Sequence, residues 1–137
     1  MTLIIDASLT IAWYFDDESS EQTDAVFDRV RSSGAIVPAL WRLEVANALQ
    51  VAVRRRRIDT AYRDRVLRRL GRMAIAVDRE GEAHAWTSVV QLSDTHKLTV
   101  YDAAYLELAQ RRELSLATLD RDLARAADAL GLTVLGQ

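Results

Sequence analysis

Six residues at the start of the chain constrain its fold more than any other stretch. Thr2-Leu3-Ile4-Ile5 is a brief apolar run, and it stops at the carboxylate of Asp6 and the small residues Ala7 and Ser8. A run this short, without polar alternation, reads as a strand covered on both faces, the kind found inside a parallel sheet. In open α/β sheets the working crevice lies beyond the carboxyl ends of the strands. Asp6 falls at that rim. A carboxylate there is costly unless a neighbouring cation or a metal meets it. Asp6 also stands where a helix N-cap would stand, so the case for a site depends on which other acids reach the same edge.

The remaining elements alternate as β-α-α-β-α-α-β-α-α-β-α-β, with no repeat or long linker. A short helix is expected from Ser8 to about Phe15, and an amphipathic one from Glu21 to Ser32 with Ala25, Val26, Phe27 and Val30 as its stripe. Ala35-Ile36-Val37 reads as the second strand, stopped by Pro38. Leu40 to Arg54 has Trp41, Val45, Ala48, Leu49 and Ala52 at helical spacing. Asp59-Thr60 starts a helix striped by Tyr62, Val66, Leu70 and Met73. Ala74 to Val77 is the third strand. Glu80 to Ser93 reads as one helix, with Ala83, Trp86, Val89, Val90 and Leu92 available for burial. Val100 to Arg111, the strand Leu114 to Thr118, a helix Asp120 to Ala129 and a final strand Leu132 to Leu135 complete the chain. Strands alternating with helices imply right-handed crossovers and helices on both faces of the sheet. The expected architecture is a three-layer α/β/α sandwich around a short, mostly parallel sheet of four to five strands, in one domain spanning 1–137.

Composition narrows the chemistry. The 137 residues contain no cysteine and only two histidines, His84 and His96. A thiolate site is excluded and a zinc site is poorly supplied, so any metal is expected to be a hard one held by oxygen. The lack of cysteine agrees with a cytoplasmic setting. No apolar run is long enough to span a bilayer, so no membrane role is expected. The net charge is −2, but of 18 basic residues only Lys97 is a lysine. The arginines gather at Arg54, Arg55, Arg56 and Arg57, and again from Arg63 to Arg72. Arginine suits bidentate contacts with phosphate or carboxylate.

Three further acids have positions like that of Asp6. Glu44 lies on the helix after the second strand, amid apolar neighbours, with Asn47 on the same helical face. Asp102 is three residues after Thr99, which is also the spacing of a capping box. Asp120 follows the fourth strand as Asp6 follows the first, and each is also placed to cap a helix. Asp122 reads as a peripheral first-turn acid. In a parallel sheet these positions converge on one edge. Carboxylates gathered there without arginine repel one another and raise their pKa values. A divalent cation removes that penalty and activates water toward phosphoryl groups.

The four segments Leu3-Ile4-Ile5-Asp6-Ala7-Ser8, Leu43-Glu44-Val45-Ala46-Asn47-Ala48-Leu49, Tyr101-Asp102-Ala103-Ala104-Tyr105-Leu106-Glu107-Leu108-Ala109 and Ala117-Thr118-Leu119-Asp120, in this order, resemble the PIN domain. The likeness extends over essentially the whole chain and is greatest to the VapC toxins of bacterial toxin–antitoxin pairs. The resemblance implies an endoribonuclease dependent on Mg²⁺ or Mn²⁺, a homodimer, and inhibition by a cognate VapB-type antitoxin. It assigns Asp6, Glu44, Asp102 and Asp120 to the acidic quartet, Thr118 to a supporting hydroxyl and Asn47 to a companion of the glutamate. Of these, Asp6, Asp102 and Asp120 are the expected metal ligands. The implied reaction is hydrolysis leaving a 5′-phosphate and a 3′-hydroxyl. Arg54 to Arg57 then become candidate contacts for RNA or antitoxin, or a solvated helix end favoured by the dipole. The aromatic residues, Trp13 and Tyr105 among them, are expected in the core or between protomers.

Two other readings share this architecture. A phosphoacceptor receiver domain needs a paired acid after the first strand and a late lysine, and the chain has neither arrangement. A non-catalytic interaction module of the same fold is the alternative that the sequence leaves open.

Overall fold

The computed structural model describes residues 1–137. Five short parallel strands form its sheet: β1 (Leu3–Ile5), β2 (Ala35–Val37), β3 (Ile75–Val77), β4 (Leu116–Ala117) and β5 (Val134–Leu135). Their spatial order is β3-β2-β1-β4-β5. Leu3 pairs with Ala35 on one side of β1, and Ile5 with Ala117 on the other. Every residue of β1 is fully buried, as an unbroken apolar run at the centre of a sheet requires.

The helices are α1 (Ala7–Ala12), α2 (Glu21–Ser33), α3 (Leu40–Arg54), α4 (Thr60–Arg72), α5 (Val90–His96), α6 (Val100–Arg112) and α7 (Arg121–Ala129). The chain winds outward from β1 through β2 to β3. It then crosses back to β4 and continues outward to β5. Right-handed crossovers taken in opposite directions put their helices on opposite faces. Contacts follow that division: α1 packs with α3 and α3 with α4, while α6 packs with α5 and α7. The direction of winding reverses between β1 and β4, which is the position where α/β sheets bind ligands.

Local chemistry accounts for the helix boundaries. Ser20 and Thr23 form a reciprocal capping box at the start of α2, and Asp59 caps α4 through the amide of Tyr62 at 2.8 Å. Gly34 ends α2 with a φ of +78° while its Cα approaches the carbonyl of Ala74. A side chain there would both clash and enter the left-handed region.

Two parts of the sequence reading change. The stripe of α2 is Thr23, Val26 and Val30, and Ala25 is exposed. The segment expected as one helix from Glu80 is a 3₁₀ turn (Gly81–His84), a π turn (Ala85–Val89) and then α5. These three windings have different numbers of residues per turn, so no single stripe faces inward. Val89 is buried in the core and Leu92 packs partly against it, while Trp86 is 93% exposed.

Candidate functional site

Asp6 leaves the end of β1 directly into α1, and its carboxylate is committed at both oxygens. Oδ1 accepts the Leu9 amide at 2.9 Å. Oδ2 accepts the hydroxyl of Thr118. Ser8 Oγ stands 2.7 and 2.9 Å from the two oxygens. Capping and site formation are thus the same geometry here: the cap is what aims the carboxylate. Only 4% of Asp6 is exposed. Burial pushes its pKa up to about 6, against the lowering effect of Thr118, Leu9 and Ser8.

The β4 end is built the same way. Asp120 caps α7 through the Leu123 amide at 2.8 Å. Thr118 is fully buried between the two strand ends, and its Oγ1 also accepts the Asp120 amide at 3.0 Å. Ser8 Oγ accepts the Leu119 amide at 3.1 Å. Two hydroxyls therefore stitch the β1–α1 and β4–α7 junctions together.

The other two acids arrive on helices. Asp102 lies in the first turn of α6, its amide held by Thr99 Oγ1 at 3.1 Å. Its pKa is raised, first by burial and then by the charges of Asp120 and Glu44. Asp6 in turn feels the charge of Asp102. Glu44, on α3, accepts the hydroxyl of Tyr105 at 2.6 Å. All four sequence-singled acids thus converge on the switch-point edge closely enough to repel. They do not form a closed cage, because no three acidic or histidine side chains stand close enough to enclose an ion.

The absence of a basic partner sets these acids apart. None of the four makes an ion pair. The molecule's other buried acids, Asp78 and Glu107, both pair with Arg111, at 2.7 Å each. Burial alone would raise the pKa of Asp78, but Arg111 and Arg112 overcome it and hold it below the usual carboxylate range. The donor set at the switch point is therefore all oxygen, negatively charged and uncompensated. That is the chemistry that suits a hard divalent cation.

The remaining sequence candidates divide. Asn47 is exposed and its side chain makes no hydrogen bond in the protein. Asp122 is exposed and pairs with Arg125 at 2.9 Å. Arg57 is engaged by Asp17 at 3.0 Å, whereas Arg54, Arg55 and Arg56 are exposed without acidic partners. A concavity of about 650 Å³ around Arg57 and Tyr62 contains none of the four acids. Two residues at the site were not singled out by sequence, Ser8 and Tyr105. Ser8 has the i+2 spacing of a local side-chain turn from Asp6. Tyr105 is one helical turn beyond Asp102.

The PIN domain family model matches residues 3–129 of this chain. The chain belongs to the PIN domain family. A relative, "Ribonuclease VapC3" of Pyrobaculum aerophilum, is 33% identical over 130 residues, covering 95% of this chain and 98% of its own. A protein of the same name from Mycobacterium tuberculosis is 33% identical over 124 residues, covering 90% of this chain and 86% of its own. The crystal structure of PAE2754 from Pyrobaculum aerophilum superposes with a TM-score of 0.70 at 25% identity, covering 98% of this PIN domain chain and 83% of that one.

Proposed function

We propose that residues 1–137 form one PIN domain acting as the toxin of a VapBC-type toxin–antitoxin pair, an endoribonuclease dependent on Mg²⁺ or Mn²⁺. The observation that carries this reading is the set of four acids at the switch point, none of them paired with a base. The relatives named as VapC ribonucleases support the same reading. Mg²⁺ commonly uses one or two carboxylates and keeps several waters, so an open edge suits it better than a closed cage.

Asp6, Asp102 and Asp120 are the residues we assign to holding the metal. When bound, the metal supplies Lewis acidity and activated water for attack at phosphorus. Asp6 is aimed by Leu9, Ser8 and Thr118, so it presents a fixed oxygen pair. Glu44 offers a further carboxylate to a water molecule or the RNA backbone. Arg54, Arg55 and Arg56 are free to hold phosphates or acidic antitoxin residues. In cleavage assays with structured RNA, activity is expected with Mg²⁺ and not with EDTA. Asp6→Asn should abolish it while leaving the fold intact. Metal-dependent cleavage retained by that variant overturns the assignment.

The homodimer belongs to the same proposal, and one surface favours it. A groove of about 430 Å³ runs between Leu40, Trp86, Val90, Val100 and Tyr101, with no arginine or lysine in its lining. Trp86 projects beside this groove, 93% exposed, and Tyr101 is 62% exposed. A knob next to a hole on one surface is self-complementary about a two-fold axis. Light scattering should give a dimer that Trp86→Arg converts to a monomer. A dimer in both moves the interface elsewhere.

A further inference from the structure

We propose that Tyr105 is a positioning residue for Glu44, holding its carboxylate in one orientation through Oε1 and leaving Oε2 without a protein partner. This deepens the metal-nuclease reading and rests on it. The phenol donates to Glu44 Oε1 at 2.6 Å. It is the one side-chain hydrogen bond between α3 and α6, and it joins residues 61 apart in sequence. Tyr105 is 1% exposed, with its ring inside the core. Its hydroxyl is therefore set by core packing, not by solvent.

Glu44 needs such a partner more than the other acids do. Asp6 and Asp120 are short side chains fixed by the amides of their own helices, Leu9 and Leu123. Glu44 has a longer side chain and lies past the first turn of α3, so no free helix amide is in reach to hold its carboxylate. On a half-buried helix face it would otherwise sample several rotamers. The phenol selects one. Oε2 has no donor within the protein and is not sealed from solvent, since no buried side-chain oxygen lacks a partner. Glu44 then presents Oε2, unshared with any donor of the protein, in a fixed orientation to a water or cation.

Tyr105→Phe keeps the ring and removes only the hydroxyl. The test is Mn²⁺ affinity by electron paramagnetic resonance, without RNA, for the parent, Tyr105→Phe, Glu44→Gln and the double variant. Asp6→Asn serves as the reference for the site itself. Tyr105→Phe is expected to weaken Mn²⁺ binding about tenfold, as for a lost hydrogen bond to a charged group. In the Glu44→Gln background the same change should add little, because the two residues act as one unit. Unchanged affinity in Tyr105→Phe, or an equal loss in both backgrounds, overturns the proposal. If Asp6→Asn also binds Mn²⁺ normally, the metal reading falls with it; if Asp6→Asn loses binding, only the role of Tyr105 falls.

Discussion

Thr118 donates its hydroxyl to Asp6 Oδ2, and Thr118 Oγ1 in turn accepts the amide of Asp120 at 3.0 Å. One buried side chain thus couples the two strand-end acids on either side of the switch point. Thr118→Val preserves the shape and removes both interactions. The Asp120 amide then loses its partner, and Asp6 Oδ2 keeps only the Ser8 hydroxyl at 2.9 Å. A cost of about 1–3 kcal/mol is expected, read as a lower urea midpoint. RNA cleavage should fall further than stability does, because Asp6 is no longer aimed. Thr118→Ser, which keeps the hydroxyl, should recover most of the activity.

The metal-free protein should have an unusual pH profile. Asp6 ionises near 6 in the fold, against an ordinary value of 3.8. Between those values the unfolded chain releases a proton that the folded chain keeps, so stability falls as pH rises through that window. The contribution is on the order of 3 kcal/mol at most. Asp102 is raised as well and acts in the same direction. Asp78 has the opposite sign, because its pKa is lowered. Its stabilisation is present above the ordinary value and is lost as pH falls through the lowered one. Urea midpoints in EDTA should therefore rise from pH 7 toward 4 and drop below that. Asp6→Asn should flatten the rise. Asp78→Asn should flatten the drop.

The strands and capped helices were legible because their chemistry is local. The apolar run before Asp6, the Ser20 cap and the Asp59 cap each announce themselves within a few residues. The four acids were legible because each sits at a strand end or in the early turns of a helix, and a parallel sheet brings such positions to one edge. Ser8 and Tyr105 were not, since their partners are 111 and 61 residues away in sequence. Only the fold shows that Ser8 meets the Leu119 amide or that Tyr105 reaches Glu44. The segment from Gly81 to His96 misled for another reason. Its apolar residues recur as in a helix, but 3₁₀ and π turns rotate Trp86 outward. Nothing in residue spacing distinguishes those windings.

Arg111 makes a separate claim on stability. It pairs with Asp78 at 2.7 Å, Glu107 at 2.7 Å and Glu80 at 3.1 Å. The Asp78 side chain has no exposed surface, and that of Glu107 is 5% exposed. Arg111→Met leaves both acids buried, with only Arg112 remaining near Asp78 at 3.2 Å. Breaking a buried network from one side typically costs about 3–5 kcal/mol. The variant should unfold at much lower urea than Arg125→Met, which removes an exposed pair. Adding Asp78→Asn and Glu107→Gln to Arg111→Met should recover part of the loss, since neutral amides replace stranded charges.

The four consecutive arginines should not behave alike. Arg57 Nη2 reaches Asp17 at 3.0 Å, and its guanidinium lies 4.6 Å over the ring of Phe15. Those contacts fix the turn between α3 and α4 against the segment after α1. Arg54, Arg55 and Arg56 have no such partners, and Arg56 carries the turn with a φ of +58°. Arg57→Gln should therefore lower stability by about 1 kcal/mol, the scale of an exposed pair and a cation–π contact. Its RNA affinity should keep the salt dependence of the parent. Replacing Arg54, Arg55 and Arg56 with glutamine should leave the urea midpoint nearly unchanged. Affinity for single-stranded RNA should then lose about 0.7 in the slope of log affinity against log salt for each phosphate contact removed. Filter binding across a salt series separates the two outcomes. An unchanged slope in the triple variant would assign those arginines to the solvated end of α3 and leave phosphate binding to other residues.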